Sequence, residues 1–251
     1  MNLKNLKTNL FIILSVMWIL SGCSNSSSSS KLPQITDLKQ AEQKAMQMFQ
    51  SEPASAIPHF HALALHHQAA NDHKNAGIAF LNTANIYDEH IQKTDSALHF
   101  ANESLTSWTK LNDTLGIANL LKYAGYLNGE NSNFEKGREQ IEEAITLYQQ
   151  KDFLDGIAVC YFNLSRLECK AEGYFKSLIH FNRAQTYWRD SNNYDRIFSN
   201  NIFGIKLMRA MNRPLYGEEL VKENRQIMTI TSILPKLRED FEKAAASLAD
   251  C

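Results

Sequence analysis

The chain of 251 residues carries 26 lysines and arginines against 27 aspartates and glutamates, a formal net charge of −1 with a pI near 6.7. It therefore lacks the basic excess that non-specific nucleic-acid binding requires. Ten glycines and five prolines are about half the usual share, which argues against a barrel or sandwich of many tight turns, while 44% hydrophobic residues exclude wholesale disorder. An all-α protein is the first expectation.

Lys4 and Lys7 open the chain, followed by the uncharged run Leu10–Leu20. The run is too short to span a bilayer, which takes roughly 20 residues, and it has the basic flank and length of a signal-peptide core. Directly after it stand Leu20-Ser21-Gly22-Cys23. This resembles the bacterial lipoprotein signal, which implies cleavage before Cys23 and diacylation of its thiol. Residues 1–22 are then a signal peptide, and 23–33 the lipidated cysteine with a flexible tether, Ser-rich from Ser24 to Ser30. The same resemblance implies a bacterial envelope protein bound to the membrane through the lipid on Cys23. Ser24, not acidic, implies the outer membrane, facing the periplasm. The alternative is a buried cysteine in an uncleaved anchor.

Beyond the tether the chain repeats itself. Gly77-Ile-Ala, Gly116-Ile-Ala and Gly156-Ile-Ala recur at spacings of 39 and 40. Four further registers hold a spacing of 40: Ala97/Gly137/Ser177/Gly217, Ala101/Ile141/Phe181/Val221, Ser104/Ala144/Ala184/Asn224 and Trp108/Tyr148/Trp188/Met228. Within a copy these fall at offsets 0, +4, +7 and +11, one face of a helix, and a repeat of this length marks a solenoid. Each copy reads as two antiparallel helices joined by a polar turn, such as Asn128–Asn133 or Lys170–Gly173. Asn71-Asp72, Asn112-Asp113, Lys151-Asp152 and Asn192-Asn193 supply N-caps at the repeat boundaries.

The openings Phe134-Glu-Lys-Gly137 and Tyr174-Phe-Lys-Ser177, with Leu81–Tyr87 and Leu120–Tyr126, resemble the second and first helices of the tetratricopeptide repeat (TPR). The resemblance covers about residues 71–230, with a degenerate copy at 36–70. It implies a right-handed α-solenoid of antiparallel helix pairs over 34–230. The period of 40 rather than 34 means longer helices. Pro214 opens the last second helix, and Asn224 in place of a small residue reads as a degraded fourth copy. The register of the first helices is open by up to two residues. The amphipathic, Ala-rich stretch Leu234–Leu248 reads as a capping helix within 231–251, which a solenoid needs to cover its end.

Catalytic and metal-binding patterns are missing from the sequence. His59, His61, His66, His67 and His73 make no i, i+4 pair, and there is no HExxH, phosphate loop, nucleophile elbow or G-x-G-x-x-G. No enzyme, cofactor or metal is expected. Cys160, Cys169 and Cys251 form no CxxC; nine residues on one helix rise about 13 Å, beyond disulfide reach, and Cys160 reads as a small core residue. Tyr87, Tyr126, Tyr148, Phe181, Tyr187 and Trp188 recur with the repeat and read as core. Glu142-Glu143 and Glu218-Glu219 read as solvated helix surface.

In tetratricopeptide domains the first helices line a concave groove that grips a peptide or partner helix. Matching its positions nominates Asn85, Glu89, Asn119, Lys122, Tyr126, Arg166 and Lys170, where Asn can bond an extended backbone and Lys or Arg its carboxylates. The expected function is a protein-interaction scaffold in an envelope complex, with a protein or peptide partner. Two alternatives stand: a detached sensory module working with a membrane kinase or transcription regulator, as Gly-Ile-Ala repeats of this length suggest by resemblance, and a ligand- or metal-binding lipoprotein built on the histidines.

Overall fold

Three-residue turns set the architecture. The computed structural model describes residues 32–249, so the signal peptide expected over 1–22, Cys23 and Cys251 lie outside the described residues. From Pro33 onward the chain forms one unit. Its helices are α1 (Leu38–Ser51), α2 (Pro53–Ala69), α3 (His73–Asn85), α4 (Thr94–Lys110), α5 (Thr114–Glu130), α6 (Phe134–Gln149), α7 (Leu154–Lys170), α8 (Tyr174–Asp190), α9 (Tyr194–Ala210), α10 (Pro214–Ile230) and α11 (Pro235–Ala249). The described residues contain no strand. Each helix packs on the next, and α5 also touches α7, so the fold is a solenoid of five helix pairs closed by α11.

One residue in each of eight turns takes the left-handed conformation: Asn71, Gln92, Asn112, Ser132, Asp152, Glu172, Asn192 and Asn212. From Gln92 onward they stand 20 apart, so these turns recur at one interval within pairs and between pairs. The backbone repeats at 20, and the sequence shows 40 because first and second helices bury different faces. No glycine fills these positions, although it is the usual choice; Asn, four times among the eight, tolerates the left-handed region best of the others. At Asn212 its N–H donates to the Arg209 carbonyl at 3.0 Å and that of Arg213 to Met208 at 2.8 Å, the paired bonds of a Schellman turn.

The next helix begins two residues later, so the second residue of Asn71-Asp72, Asn112-Asp113 and Asn192-Asn193 is the cap. Asp72, Asp113 and Asn193 accept backbone N–H groups of α3, α5 and α9. The expectation fails at Lys151-Asp152: Asp152 is the left-handed residue, and Phe153 precedes α7 without a side-chain cap. Asn128–Asn133 is likewise only partly a turn. Helix α5 runs through Glu130, and buried Asn128 donates to the Ala124 carbonyl and to Gln140 Oε1 at 2.7 Å.

The spacing of 39 has a structural cause. Gly77 lies five residues after its cap, whereas Gly116 and Gly156 lie three after theirs, so the first string is offset by two. Helix α3 continues into a π-helical turn, Ile86–Ile91, whose extra residue makes the interval from Asn71 to Gln92 21 rather than 20. Gly77 and Gly116 flank the Trp108 indole: a Cβ on either would come within 2.7 Å of ring atoms. Gly156 stands in the same way against Tyr148, which occupies the position of Trp108 one copy later.

Small residues at offset zero permit close helix crossings. A Cβ on Gly137 would lie 2.8 Å from the Gly125 carbonyl oxygen, and one on Gly125 equally close to that of Gly137. Forty residues on, Ser165 and Ser177 replace the two glycines. Each hydroxyl donates to the other's carbonyl at 2.7 Å, so the crossing stays tight and no buried group is left unpaired.

The fourth copy is not degraded: α9 and α10 form a full pair, and Asn224 is fully buried and bonded. Its amide donates to the Phe198 carbonyl at 3.1 Å and accepts from Asn201 at 2.9 Å, while Asn201 also bonds Glu223 and Gln185. A polar seam across α8, α9 and α10 takes the place of small-residue packing. Over it α11 seats Phe241 against Phe198, edge to face at 5.3 Å, and Leu248 against Gly217. The leading copy is also a full helix pair, α1 with α2.

Candidate partner-binding face

The first helices α3, α5, α7 and α9 bring three of the seven nominated residues together. Arg166 on α7 lies 5.1 Å above the Tyr126 ring of α5 and 5.9 Å from that of Phe162, and its Nη2 meets Glu130 at 3.3 Å. Lys170, one turn on, contacts the other Glu130 oxygen at 2.5 Å. Tyr123 stacks on Tyr126 and donates its hydroxyl to Asp88 Oδ2 at 3.2 Å. Burial pushes the Asp88 carboxyl above its usual value, against the opposing effect of the Tyr123 hydrogen bond, and burial likewise raises the Tyr123 and Tyr126 hydroxyls. The result is a half-buried aromatic shelf carrying one guanidinium and two carboxylates.

Asn119 and Lys122 form a second group toward the start of α5. The Asn119 Oδ1 accepts from Lys122 Nζ at 3.2 Å and from the Tyr148 hydroxyl at 2.7 Å. Lys122 lies 5.7 Å from the centroid of the Tyr148 ring. Burial lowers the pKa of Lys122; the charge of Arg196 acts in the same direction and that of Asp155 against it. Among the described residues Lys122 has no carboxylate within ion-pair distance, so it presents a partly desolvated cation to whatever occupies this face. Asn85 is half-buried and Glu89 exposed; neither joins the two groups by a hydrogen bond, and Glu89 acts only through its charge, which helps raise Asp88.

Asp88, Tyr123, Glu130 and Phe162 complete the face and were not among the nominated residues. The period held a signal for two of these contacts. Tyr126 and Arg166 share one register position, as do Glu130 and Lys170, so a ring and an acid in one copy meet cations in the next. Tyr126 is half-buried, packed against a core cluster from the side of the face, whereas Tyr148, Phe181 and Trp188 are buried as expected. Tyr87 and Tyr187 are partly buried against core clusters.

No family model and no curated protein matches the sequence. Solved structures do match. BtubC (BKLC) from P. vanneervenii aligns with a TM-score of 0.56 at 14% identity, covering 79% of this chain and 91% of that one. A Podosopora anserina putative kinesin light chain with nearly identical TPR-like repeats aligns at 0.62 and 10% identity, over 78% and 97%. Its Q17M form aligns at 0.62 and 10%, over 76% and 93%. The chain has a TPR-like solenoid fold. At these identities the likeness concerns the fold alone.

Two of the clustered histidines, His61 and His67, are packed into the solenoid. His67 is buried, with Nε2 3.6 Å from Glu42 and Nδ1 3.2 Å from Asp72, tying α1 and α2 to the cap of α3. His61 meets the Phe100 ring edge to face at 5.2 Å. Burial lowers the pKa of His59 and His61. No group of three His, Cys, Asp or Glu side chains among the described residues is placed to hold a metal ion. Cys160 and Cys169 are free thiols; that of Cys160 is fully buried and pushed up to about 12 by desolvation, which makes it unreactive at neutral pH.

Proposed function

We propose that this protein is a lipid-anchored interaction scaffold of the bacterial cell envelope, whose first-helix face binds a protein or peptide partner without catalysis. One observation carries the reading: Arg166 on its aromatic shelf and Lys122 without a carboxylate are half-buried cations on the surface that TPR-like folds leave open. Retaining partly desolvated charge there is unfavourable for the isolated chain unless an acidic or carbonyl-rich partner completes it. The Leu20-Ser21-Gly22-Cys23 box supports attachment through the lipid on Cys23, and Ser24 supports the outer membrane facing the periplasm.

Photo-crosslinking in intact envelopes tests both parts. With benzoylphenylalanine in place of Tyr126, the expected result is one discrete adduct, absent when the probe replaces the exposed, outward Glu143. The Cys23→Ser chain is expected to leave the membrane fraction and lose incorporated palmitate. Adducts of equal pattern from both positions contradict the binding face, and an unlabelled wild-type chain contradicts the anchor.

A further inference from the structure

The last two helix pairs carry an apolar surface that the earlier pairs do not. Between the third and fourth pairs, Glu135 and Arg138 on α6 and Glu168 on α7 form an ion-pair bridge. Arg138 Nε meets Glu168 at 2.7 Å and Nη1 meets Glu135 at 2.7 Å, with Glu168 nearly inaccessible. Forty residues on, the same three positions are Phe175, Leu178 and Met208. The hollow at the bridge holds Glu135, Arg138 and Glu168, whereas the corresponding hollow of about 370 Å³ is lined among others by Phe175, Leu178, Met208, Met211, Tyr216 and Leu220. Around it large apolar side chains stand in solvent: Phe175 and Leu215 are each 73% exposed, Tyr216 64% and Ile179 53%. The counterparts of Phe175 in the two preceding pairs are Asp95 and Glu135. The helix pair therefore folds with charge at this position, and the apolar residues are not required for its packing.

We propose that this face, on the N-terminal ends of α8 and α10, is the contact between two copies of the chain. Two features select a second copy. Projections and recess lie on one patch, as a two-fold contact demands, since each copy must offer both; Leu215 or Phe175 of one copy seats in the hollow of the other. Charge of both signs also stands on the rim, Lys176 and Arg213 with Glu172, none of them ion-paired among the described residues. A two-fold contact allows a rim cation to face the other copy's Glu172, whereas an anionic bilayer would meet Glu172 and Glu219 unfavourably.

Sedimentation equilibrium on residues 33–251, the unit that contains every core cluster, tests the proposal between about 1 and 100 µM, the range of a contact of modest area. The expected result is a concentration-dependent dimer that Phe175→Asp with Leu215→Asp weakens about tenfold or more at unchanged helical circular dichroism. Lys122→Glu with Arg166→Glu, on the partner-binding face, is expected to leave it intact, so this proposal and the scaffold reading fail independently. A monomer throughout, or a dimer indifferent to the two aspartates, overturns it. A monomer that binds phosphatidylglycerol vesicles through Phe175 and Leu215 overturns it in favour of a lipid surface.

Discussion

Cutting Phe198 to alanine is expected to destabilise the fold by about 3–5 kcal/mol. The ring is fully buried and packs edge to face on Phe241, so its loss opens a cavity where α11 closes the solenoid. The Phe198 carbonyl also accepts from Asn224 at 3.1 Å, so any collapse into the cavity would strain the polar seam. Solenoid stability is carried by nearest neighbours, and the damage should therefore begin at α9–α11. Urea unfolding with hydrogen exchange would read both the midpoint and the place, with α9–α11 losing protection before α3–α6. Phe175→Ala is the control: at 73% exposure it should change stability by no more than about 0.5 kcal/mol. Equal losses from the two substitutions would contradict this packing.

The second large effect is expected at Gly137. Alanine is about 1 kcal/mol better than glycine in a helix interior, but here a Cβ meets the Gly125 carbonyl and the Leu167 Cδ1, each at 2.8 Å. Backbone on one side cannot rotate away, so α5 and α6 must separate. Gly137→Val adds branches to that clash and should cost about 3 kcal/mol, the upper range of overpacking. At Gly129 the nearest atom to a Cβ is the Leu167 Cδ1 at 3.3 Å, a methyl that can move. Gly129→Ala should therefore be neutral or slightly stabilising. Thermal melts of the two variants decide: a loss at Gly129 as large as at Gly137 would contradict the backbone crossing.

The repeat was legible because burial repeats. Ala97, Gly137, Ser177 and Gly217 are all buried at offset zero, so the period follows packing and reaches the sequence intact. The turns were less legible. The left-handed positions are filled by Asn, Gln, Ser, Asp and Glu, a set with no glycine to mark them, and Asp152 resembled a cap while serving the turn. Asn224 misled because a size rule alone misses exchange of packing for hydrogen bonds. On the candidate face Arg166, Lys170 and Tyr126 followed from repeat position, whereas Asp88 depends on the π-helical turn, whose extra residue moves it out of the 40-residue register. Asn85 stands outside both groups of contacts, on a helix whose Gly-Ile-Ala string is offset by two residues from its counterparts.

The most direct measurement is affinity capture of the full-length protein from mildly solubilised membranes, followed by mass spectrometry, for wild type and for Lys122→Glu with Arg166→Glu. Lys122 lacks an ion-pair partner among the described residues, and Arg166, which lies over the Tyr126 and Phe162 rings, has one ion pair there, to Glu130 at 3.3 Å, so the double reversal should leave the helical spectrum intact. The account predicts one stoichiometric partner that the double variant loses. A partner retained by the variant, or none from the wild-type chain, would contradict a scaffold that works through this face.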